Sequence, residues 1–347
     1  MGGLLRVRSL RAIFEGAGAE VVEVRLRVDH RTDIRNLPRI PLSAVVRGTA
    51  VPECLSWSPG SAMAALRHHA PDVVVCETSR AYHPVFADGP WMLVLDYVDR
   101  LSISYADRAT IVTSAPRRWL FRLLAHTSAR FEARSLPAGV HTIAAGWSDA
   151  QALRAGWVPI TIEVSAQPES RPVSPGPTTD LLFFGNLSYP PNVEAVHRLH
   201  RIWPAVVRAR PATTLLLAGA SPGAELVELA GANGWHLRAN FESLPDLLAS
   251  TRLGVVPLVH ASGIQTKALE AAAHGLPQVV DPVVASGFAP EFPFAVARND
   301  AELVEQIVSL LDDHDARATL GRAAQEHMAN HYSVAAWRRW AVGLLAS

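Results

Sequence analysis

The chain has 347 residues, a formal net charge of zero and 49% hydrophobic residues, which is typical of a folded globular protein long enough for two domains. A net charge of zero gives no overall basic field, so the composition argues against a nucleic-acid-binding protein. No apolar run has the length of a transmembrane helix, and the first ten residues lack the apolar core of a signal peptide, so we expect a cytoplasmic protein.

The first half of the chain alternates short apolar runs with longer helical patterns, which is typical of parallel α/β layers. The strands predicted for this half are 19–26, 72–77, 92–96, 141–146 and 158–164. The predicted helices are about 3–16, 60–69, 101–135 and 148–155. The third helix has large apolar side chains at helical spacing, which we assign to the core: Trp119, Leu120, Leu123, Leu124 and Phe131.

A proline-rich segment at 165–179 shows no hydrophobic periodicity and is predicted to be a linker. It separates a first domain at 1–164 from a second α/β domain at 180–332. A tryptophan-rich helix at 333–347 has an apolar side too large for an exposed tail, so we expect it to cross back onto the first domain. The strands predicted for the second domain are 180–185, 213–219, 235–239, 252–258 and 277–281. The predicted helices are 191–208, 223–232, 244–251, 264–274 and 300–311.

The sequence lacks the signals of two functions that are common in α/β proteins, metal binding and dinucleotide binding. Cys54 and Cys76 lie far apart without metal-ligand spacing, so both are predicted to be small buried hydrophobic residues. The glycines of "GAGAE" at 16–20 follow a predicted helix and precede a predicted strand, which indicates a helix C-cap and argues against a dinucleotide-binding turn and a dehydrogenase.

Lys267 is the only lysine in the chain, and it lies in "GIQTKALEAAAHGLPQVVD", residues 263–281. An apolar strand precedes this stretch, and a glycine loop runs into a predicted helix whose first N–H groups and positive dipole end favour an anion. A lysine in the first turn opposes that dipole unless an anion lies beside it. Glu270, one turn further on, suits ribose hydroxyls, so the pattern predicts a nucleoside diphosphate site. The alternative is a surface lysine.

Three stretches resemble the donor domain of GT-B retaining glycosyltransferases of the family 4 type: "LLFFGNLSYPPNVEAVHRLHRIWPAVVRARPATTLLLAGASP", "NFESLPDLLASTRLGVVPL" and "PLVHASGIQTKALEAAAHGLPQVVD". The resemblance covers about 180–290 and, more weakly, 70–165. It implies two Rossmann-like, doubly wound domains facing a central cleft. It also implies an enzyme of the hexosyltransferase type that moves a sugar from a nucleoside diphosphate sugar with retention, with no metal and no other cofactor.

The resemblance also implies roles for individual residues of the second domain. Glu270 matches the glutamate that holds the donor ribose. Many relatives have an arginine in place of Asn186 and a lysine soon after it, and Lys267 is the natural substitute for both, as the counter-charge of the diphosphate in catalysis. The donor loops match Gly185, Asn186, Gly263, Ile264 and Gln265.

In the first domain, Asp96 and Asp99 lie at the carboxyl end of a predicted strand, where a carboxylate can bind a sugar or acceptor hydroxyl or act as a base. The structural alternatives are that Asp99 caps the following helix and that Asp96 satisfies a loop. Arg80 and Tyr82 follow the preceding strand and are candidates for the acceptor side.

Two features depart from the family pattern. Ser262 lies where the first glutamate of the family's motif is expected, and "MGGLLRVRSL" resembles the loop and first helix that follow a first strand, which is missing here. A sugar-nucleotide-binding or auxiliary protein with impaired catalysis is therefore the alternative function, and an epimerase of the same fold is a third.

The acceptor is expected to be lipid-linked, a polysaccharide or a secondary metabolite, with no nucleic acid partner. Residues 1–165 have 19 Lys and Arg against 15 Asp and Glu, which suits peripheral contact with the inner face of a membrane.

Overall fold

The computed structural model of the chain describes residues 2–25, 48, 51, 59–134, 136–162 and 179–346. These residues belong to two compact units. Unit 1 comprises Met1–Ile160 and Trp337–Ser347, and unit 2 comprises Thr161–Ala336. The predicted linker, apart from Thr179, and Cys54 lie outside the described residues.

Among the described residues of unit 1, four strands form a parallel sheet in which they neighbour one another in chain order. The strands are Val73–Glu77 (β1), Met92–Asp96 (β2), Val140–Ala144 (β3) and Gly156–Trp157 (β4). Parallel neighbours require crossover connections, which here contain helices. The helices of this part of the chain are Gly2–Gly16 (α1), Pro59–His69 (α2), Leu101–Ile111 (α3), Ala115–Glu132 (α4) and Trp147–Leu153 (α5), with 3-10 turns at Ser79–Ala81 and Pro84–Asp88.

Both faces of this sheet are covered by apolar side chains. Because successive side chains of a strand point to opposite faces, Leu93 and Leu95 of β2 enter one core cluster and Val94 enters another. Cys76, as predicted, is buried in the first cluster. The second cluster joins α1 to the C-terminal helix through Leu10, Ile13, Phe14, Trp337, Trp340, Ala341 and Leu344.

The strands predicted at the two ends of the first domain are wrong for the residues that the structure describes. Residues 19–25 form no strand, although Gly18, with φ of +93°, ends α1 in the predicted C-cap. Residues 158–162 after β4 form no strand either. The side chain of Arg6 instead donates to the carbonyl oxygens of Val158 and Pro159, at 2.6 and 3.0 Å.

The predicted helix at 101–135 is two helices, α3 and α4. Pro116 explains the break: it has no N–H to donate, and its ring crowds the carbonyl four residues earlier, so it occupies the first turn of a new helix.

The prediction that Trp119 and its neighbours belong to the core is also wrong for three of the five residues. Trp119, Leu120 and Leu123 are 67%, 46% and 43% exposed. The helix turns Thr127, Ser128 and Phe131 inward, so two small polar residues occupy the packed face that periodicity had assigned to larger ones.

Unit 2 is built on a parallel sheet of six strands in the order β10-β9-β8-β5-β6-β7. The strands are Thr179–Phe184 (β5), Leu215–Gly219 (β6), His236–Ala239 (β7), Thr251–Val256 (β8), Gln278–Val280 (β9) and Ala295–Val296 (β10). The remaining helices are Pro190–Ala209 (α6), Ala224–Asn233 (α7), Leu244–Ala249 (α8), Thr266–Ala273 (α9), Pro282–Ala285 (α10), Asp300–Asp312 (α11), His314–His331 (α12) and Val334–Leu345 (α13). The five strands predicted for the second domain are confirmed.

The chain enters this sheet at its centre and reverses direction there. Strand β5 pairs with β6 on one side and with β8 on the other, which makes the gap between their carboxyl ends a topological switch point. Leu182 and Phe184 of β5 pack with Leu216 and Ala218 of β6 on one face of the sheet. This core fixes the strand ends from which the loops of the candidate site emerge.

Among the helices of the described residues, none is both long and apolar enough to cross a bilayer.

Candidate functional site

The first loop of the switch point leaves β5 at Gly185. Gly185 has φ of +149° and Gly219, the last residue of β6, has φ of +153°. A Cβ at Gly219 would lie 1.6 Å from the carbonyl oxygen of Gly185, so only glycine allows these strand ends to touch. The contact fixes the course of the backbone where the predicted donor loop begins.

Asn186 and Asn192 then hold the donor loop in shape. The Asn186 side-chain oxygen accepts from the backbone N–H and the hydroxyl of Ser188, at 3.0 and 2.8 Å. The Asn192 side-chain amide donates to the Asn186 carbonyl oxygen at 2.7 Å. Asn192 lies in the first turn of α6 and is 4% exposed, so this bond lies largely away from water.

Lys267, the second residue of α9, reaches the same loop from the other side of the switch point. Its ammonium nitrogen donates to the Asn192 side-chain oxygen at 2.5 Å and lies 4.6 Å from the centre of the Phe183 ring. A Cβ at Gly185 would lie 3.2 Å from the same nitrogen. The structure therefore brings Lys267 and the Gly185 loop together, as the predicted site requires.

The surroundings of Lys267 destabilise its charge. Burial lowers the pKa of Lys267 to about 7, and among the described residues no carboxylate forms an ion pair with it. Its charge is offset by an amide oxygen and by the face of an aromatic ring, which are weaker partners than an anion. An arriving diphosphate would supply the missing counter-charge. A surface lysine would keep its ammonium group in water, whereas that of Lys267 contacts Asn192 and Phe183; its role toward a diphosphate stays a prediction.

The loop before α9 presents the N-terminus of that helix. Gln265 is the N-cap, but its side chain does not cap the helix and donates to the Ser262 carbonyl oxygen at 3.3 Å. Gly263 has φ of +66°, and a Cβ at Gly287 would lie 2.7 Å from the Gly263 carbonyl oxygen. Ile264 is 7% exposed and anchors the loop. The first N–H groups of α9 have no side-chain cap, an arrangement that suits an anion.

Glu270 follows Lys267 by one turn of α9. Its neighbours Ala268 and Leu269 are fully buried, while the Glu270 side chain is partly exposed. Burial raises the pKa of Glu270 above its ordinary value. Glu270 lies on the same side of α9 as Lys267, and its role toward the ribose hydroxyls stays a prediction.

Asp96, a catalytic candidate of unit 1, is fully buried at the end of β2. Its two carboxylate oxygens accept from the guanidinium of Arg6, at 2.7 and 3.0 Å, and one also accepts from the N–H of Val98 at 3.1 Å. These contacts are those of the structural alternative, in which Asp96 satisfies a loop. A role for Asp96 in catalysis stays a prediction.

The other candidates of unit 1 lie near the carboxyl ends of β1 and β2. Arg100 is the N-cap of α3, so Asp99 does not cap that helix. The Arg80 guanidinium donates to the Tyr105 hydroxyl at 3.4 Å. Tyr82 is 2% exposed and packs on the ring of Phe131, in the core. Their roles toward an acceptor stay predictions.

Glu77 and Asn192 each lie beside a candidate residue, and the sequence reasoning missed both. Glu77 ends β1 in register with Asp96, and burial and the Asp96 charge raise the pKa of Glu77 to about 7 against the lowering effect of Arg6. Its place at a strand end is a sequence signal of the kind that selected Asp96. Asn192 has no such signal, because its importance depends on Lys267, 75 residues away.

In the part of the chain that the structure describes, no group of three or more His, Cys, Asp or Glu is placed to hold a metal ion. The absence of a metal from the reaction stays a prediction.

A family model described as Glycosyl transferases group 1 matches residues 178–313, which span the switch point and both of its loops. Unit 2 contains a glycosyl transferases group 1 domain. The match covers Gly185, Lys267 and Glu270, so the lysine site lies inside this domain. No curated protein sequence matches the chain.

The similarity to solved structures extends beyond the group 1 domain to most of the chain. Sucrose-phosphate synthase from Thermosynechococcus elongatus matches with a TM-score of 0.67 at 18% identity, covering 98% of this chain and 92% of that one. WaaG, a glycosyltransferase involved in lipopolysaccharide biosynthesis, matches with a TM-score of 0.61 at 15% identity, covering 98% and 96%. HepE of Anabaena in complex with UDP matches with a TM-score of 0.60 at 16% identity, covering 83% and 82%. The fold is GT-B, as predicted.

The glycosyltransferase TarM shares the fold over a smaller part of its length. It matches with a TM-score of 0.57 at 12% identity, and the chain spans 57% of that protein.

Proposed function

We propose that this chain transfers a sugar from a nucleoside diphosphate sugar to an acceptor hydroxyl. The observation that supports the proposal most directly is Lys267, a partly buried residue whose ammonium group lies beside Gly185 at the switch point of the group 1 domain, with an amide and an aromatic ring as its neighbours. HepE, which has the same fold, binds UDP and UDP-glucose. A diphosphate is the ligand whose charge this position lacks.

In the proposed reaction the bond between the anomeric carbon and the diphosphate oxygen breaks, and the electron pair leaves with the diphosphate. The acceptor oxygen forms the new bond to the anomeric carbon, and its proton passes to a base. Negative charge grows on the leaving oxygen, so Lys267 and the N–H groups at the start of α9 stabilise the transition state more than the bound donor.

We also propose that the transfer proceeds with retention and needs neither a metal nor another cofactor. A protein cation and a helix N-terminus together neutralise a leaving diphosphate, which is the task that a divalent cation performs in other enzymes. Gly185 and Asn186 on one side, and Gly263, Ile264 and Gln265 on the other, would border the diphosphate and sugar. Glu270 would accept from the ribose hydroxyls.

The test has two stages with the full chain. The first titrates UDP, GDP, ADP and dTDP into the wild-type protein and into Lys267→Met, with Arg322→Met, an exposed arginine of α12, as the matched control. We expect one nucleotide to bind wild type and the control alike and the Lys267 variant more weakly. The second stage measures release of that nucleotide from its sugars with a panel of acceptor alcohols.

The alternative function is sugar-nucleotide binding without transfer, and Ser262, in the loop before α9, is the residue that favours it. Wild-type binding in the first stage without release under any acceptor in the second would support the alternative. Absence of binding by all four nucleotides would contradict both functions.

A further inference from the structure

Helix α4 exposes three large apolar side chains on one side. Trp119 and Leu123 are one turn apart, and Leu120 lies next to them, with 67%, 43% and 46% of their surfaces exposed. The rest of the helix is packed: Phe131, in its second half, is fully buried, and the ring of Phe121, opposite Trp119, stacks on Tyr105 of α3 at 6.2 Å. The helix is thus held in place by its inner side, while an apolar surface remains in contact with water. We call Trp119, Leu120 and Leu123 the α4 surface.

The exposed charged residues of α4 are all arginines. The helix has four arginines, at 117, 118, 122 and 130, and one acidic residue, Glu132, whose side chain is 5% exposed and pairs with Arg100. Arg122 precedes Leu123, and both Arg117 and Arg122 are exposed. The chain as a whole has a formal net charge of zero, so this helix is a local basic excess.

An apolar helix side flanked by cationic side chains fits an anionic lipid surface. Tryptophan and leucine enter the boundary between headgroups and acyl chains, while the long arginine side chains keep their guanidinium groups among anionic headgroups. A second copy of this surface would bring the arginines of two chains together, which opposes self-association. We propose that the α4 surface docks the protein on an anionic lipid bilayer. The proposal does not rest on sugar transfer.

The test is sedimentation of the full chain with vesicles of phosphatidylcholine alone and of phosphatidylcholine with phosphatidylglycerol. We expect binding to the mixed vesicles that falls with added salt, because exposed charges are screened. Trp119→Ser combined with Leu123→Ser should weaken it at least about tenfold, and Arg117→Gln combined with Arg122→Gln should do the same. The matched controls lie in unit 2: Val227→Ser, at a valine that is 47% exposed on α7, and Arg208→Gln, at an exposed arginine of α6, should bind as wild type does.

Three results would overturn the proposal. The first is equal binding to both vesicle types, and the second is absence of binding by a wild-type protein with a cooperative thermal transition. The third is a dimer in light scattering that Trp119→Ser dissociates, because the α4 surface would then be an interface between copies. Melting curves of the four variants separate a loss of binding from a loss of folding.

Discussion

Each unit has a cation near the carboxyl end of its central strands. Arg6 of unit 1 is fully buried and has a charged partner, whereas Lys267 of unit 2 is partly buried and has a neutral one. In unit 1, Arg6 and Asp96 are both fully buried and form a bidentate ion pair, with distances of 2.7 and 3.0 Å. In unit 2, Lys267 donates to the neutral side chain of Asn192. One charge is compensated within the protein and the other is not.

The difference separates a structural cation from a functional one. Arg6 uses its remaining N–H group on the carbonyl oxygens of Val158 and Pro159, so its hydrogen-bonding capacity serves the fold of unit 1. Burial without a counter-ion lowers the pKa of Lys267 to about 7, which stores an unfavourable interaction that a diphosphate would relieve. Arg198 shows that unit 2 can also pair a buried cation, because it contacts Asp281 and Asp300.

The largest expected effect concerns Arg6. Arg6→Ala leaves Asp96 buried and unpaired, so the free energy of unfolding should fall by about 3–5 kcal/mol in urea denaturation. Arg11→Ala on the same helix is the control and should cost less than about 1 kcal/mol, because Arg11 forms a partly exposed pair with Glu23. An Arg6 variant as stable as the control would show that the ion pair is not structural.

Unlike Arg6→Ala, Lys267→Met should reduce turnover and leave the free energy of unfolding unchanged or higher. The variant keeps the bulk of the stem and removes a charge that burial disfavours, so we expect it to fold at least as well as wild type. Turnover of the sugar donor should fall by about 10²–10³, the usual cost of losing one preorganised electrostatic partner. Lys267→Arg should recover only part of the rate, because its forked guanidinium replaces a compact charge. Turnover of Lys267→Met at the wild-type rate would contradict the assignment.

Glu270→Ala tests the neighbouring position on α9. We expect an intact fold and a nucleotide affinity lower by about 1.5–3 kcal/mol, from the loss of charge-assisted bonds to ribose. Calorimetric titration with the nucleoside diphosphate that binds wild type measures the change, and a 2′,3′-dideoxynucleotide should bind the variant and wild type alike. Wild-type affinity for the ordinary nucleotide would exclude the ribose role.

Asn192→Asp converts the Lys267 environment into that of Arg6. The lowered pKa of Lys267 means that the folded protein binds fewer protons than the unfolded chain between about pH 7 and 10.5, so wild-type stability rises with pH across this window. A carboxylate at 192 should raise the pKa of Lys267 and flatten that rise. It should also weaken diphosphate binding by about tenfold through repulsion.

Proton uptake gives the direct measurement for the same variant. At pH 8 most of Lys267 is neutral in the free protein, and a bound diphosphate should charge it, so wild type should take up close to one proton in titrations with buffers of different ionisation enthalpy. Asn192→Asp should take up much less. Equal uptake by both proteins would mean that Lys267 does not meet the diphosphate.

The smallest expected effect is at Glu77, beside the Arg6 pair. Because the pKa of Glu77 is raised to about 7, the folded protein binds more protons than the unfolded chain between about pH 4.5 and 7, and stability falls as pH rises through this range. Glu77→Gln should therefore raise the free energy of unfolding by about 1 kcal/mol at pH 8 and leave it unchanged at pH 4. The same gain at both pH values would contradict the shift.

The inner strands of unit 2 were predictable because they contain continuous apolar runs, and a parallel strand buried on both faces requires such a run. The edge strand β7 is largely exposed. The ends of the first domain were not predictable, because residues 19–25 and 158–162 have strand-like composition but form no strand. Val158 donates one backbone hydrogen bond to Ala144 of β3, which does not lengthen the strand. Helix α4 was misassigned for a related reason. Periodicity shows which residues share a helix side, and Leu120 and Phe131 share one, but only packing decides which part of that side is buried.

By itself, the sequence determined the order of strands and helices in the group 1 domain and singled out Lys267 and Glu270, because these signals lie within a few residues of one another. Only the tertiary structure decided which side chain contacts each of the two cations. Arg6 contacts Asp96, which is 90 residues away in the sequence, and Lys267 contacts Asn192, which is 75 residues away. The free energy of a buried cation depends on its nearest partner in space, and the strand order of each sheet, not the spacing along the chain, selects that partner.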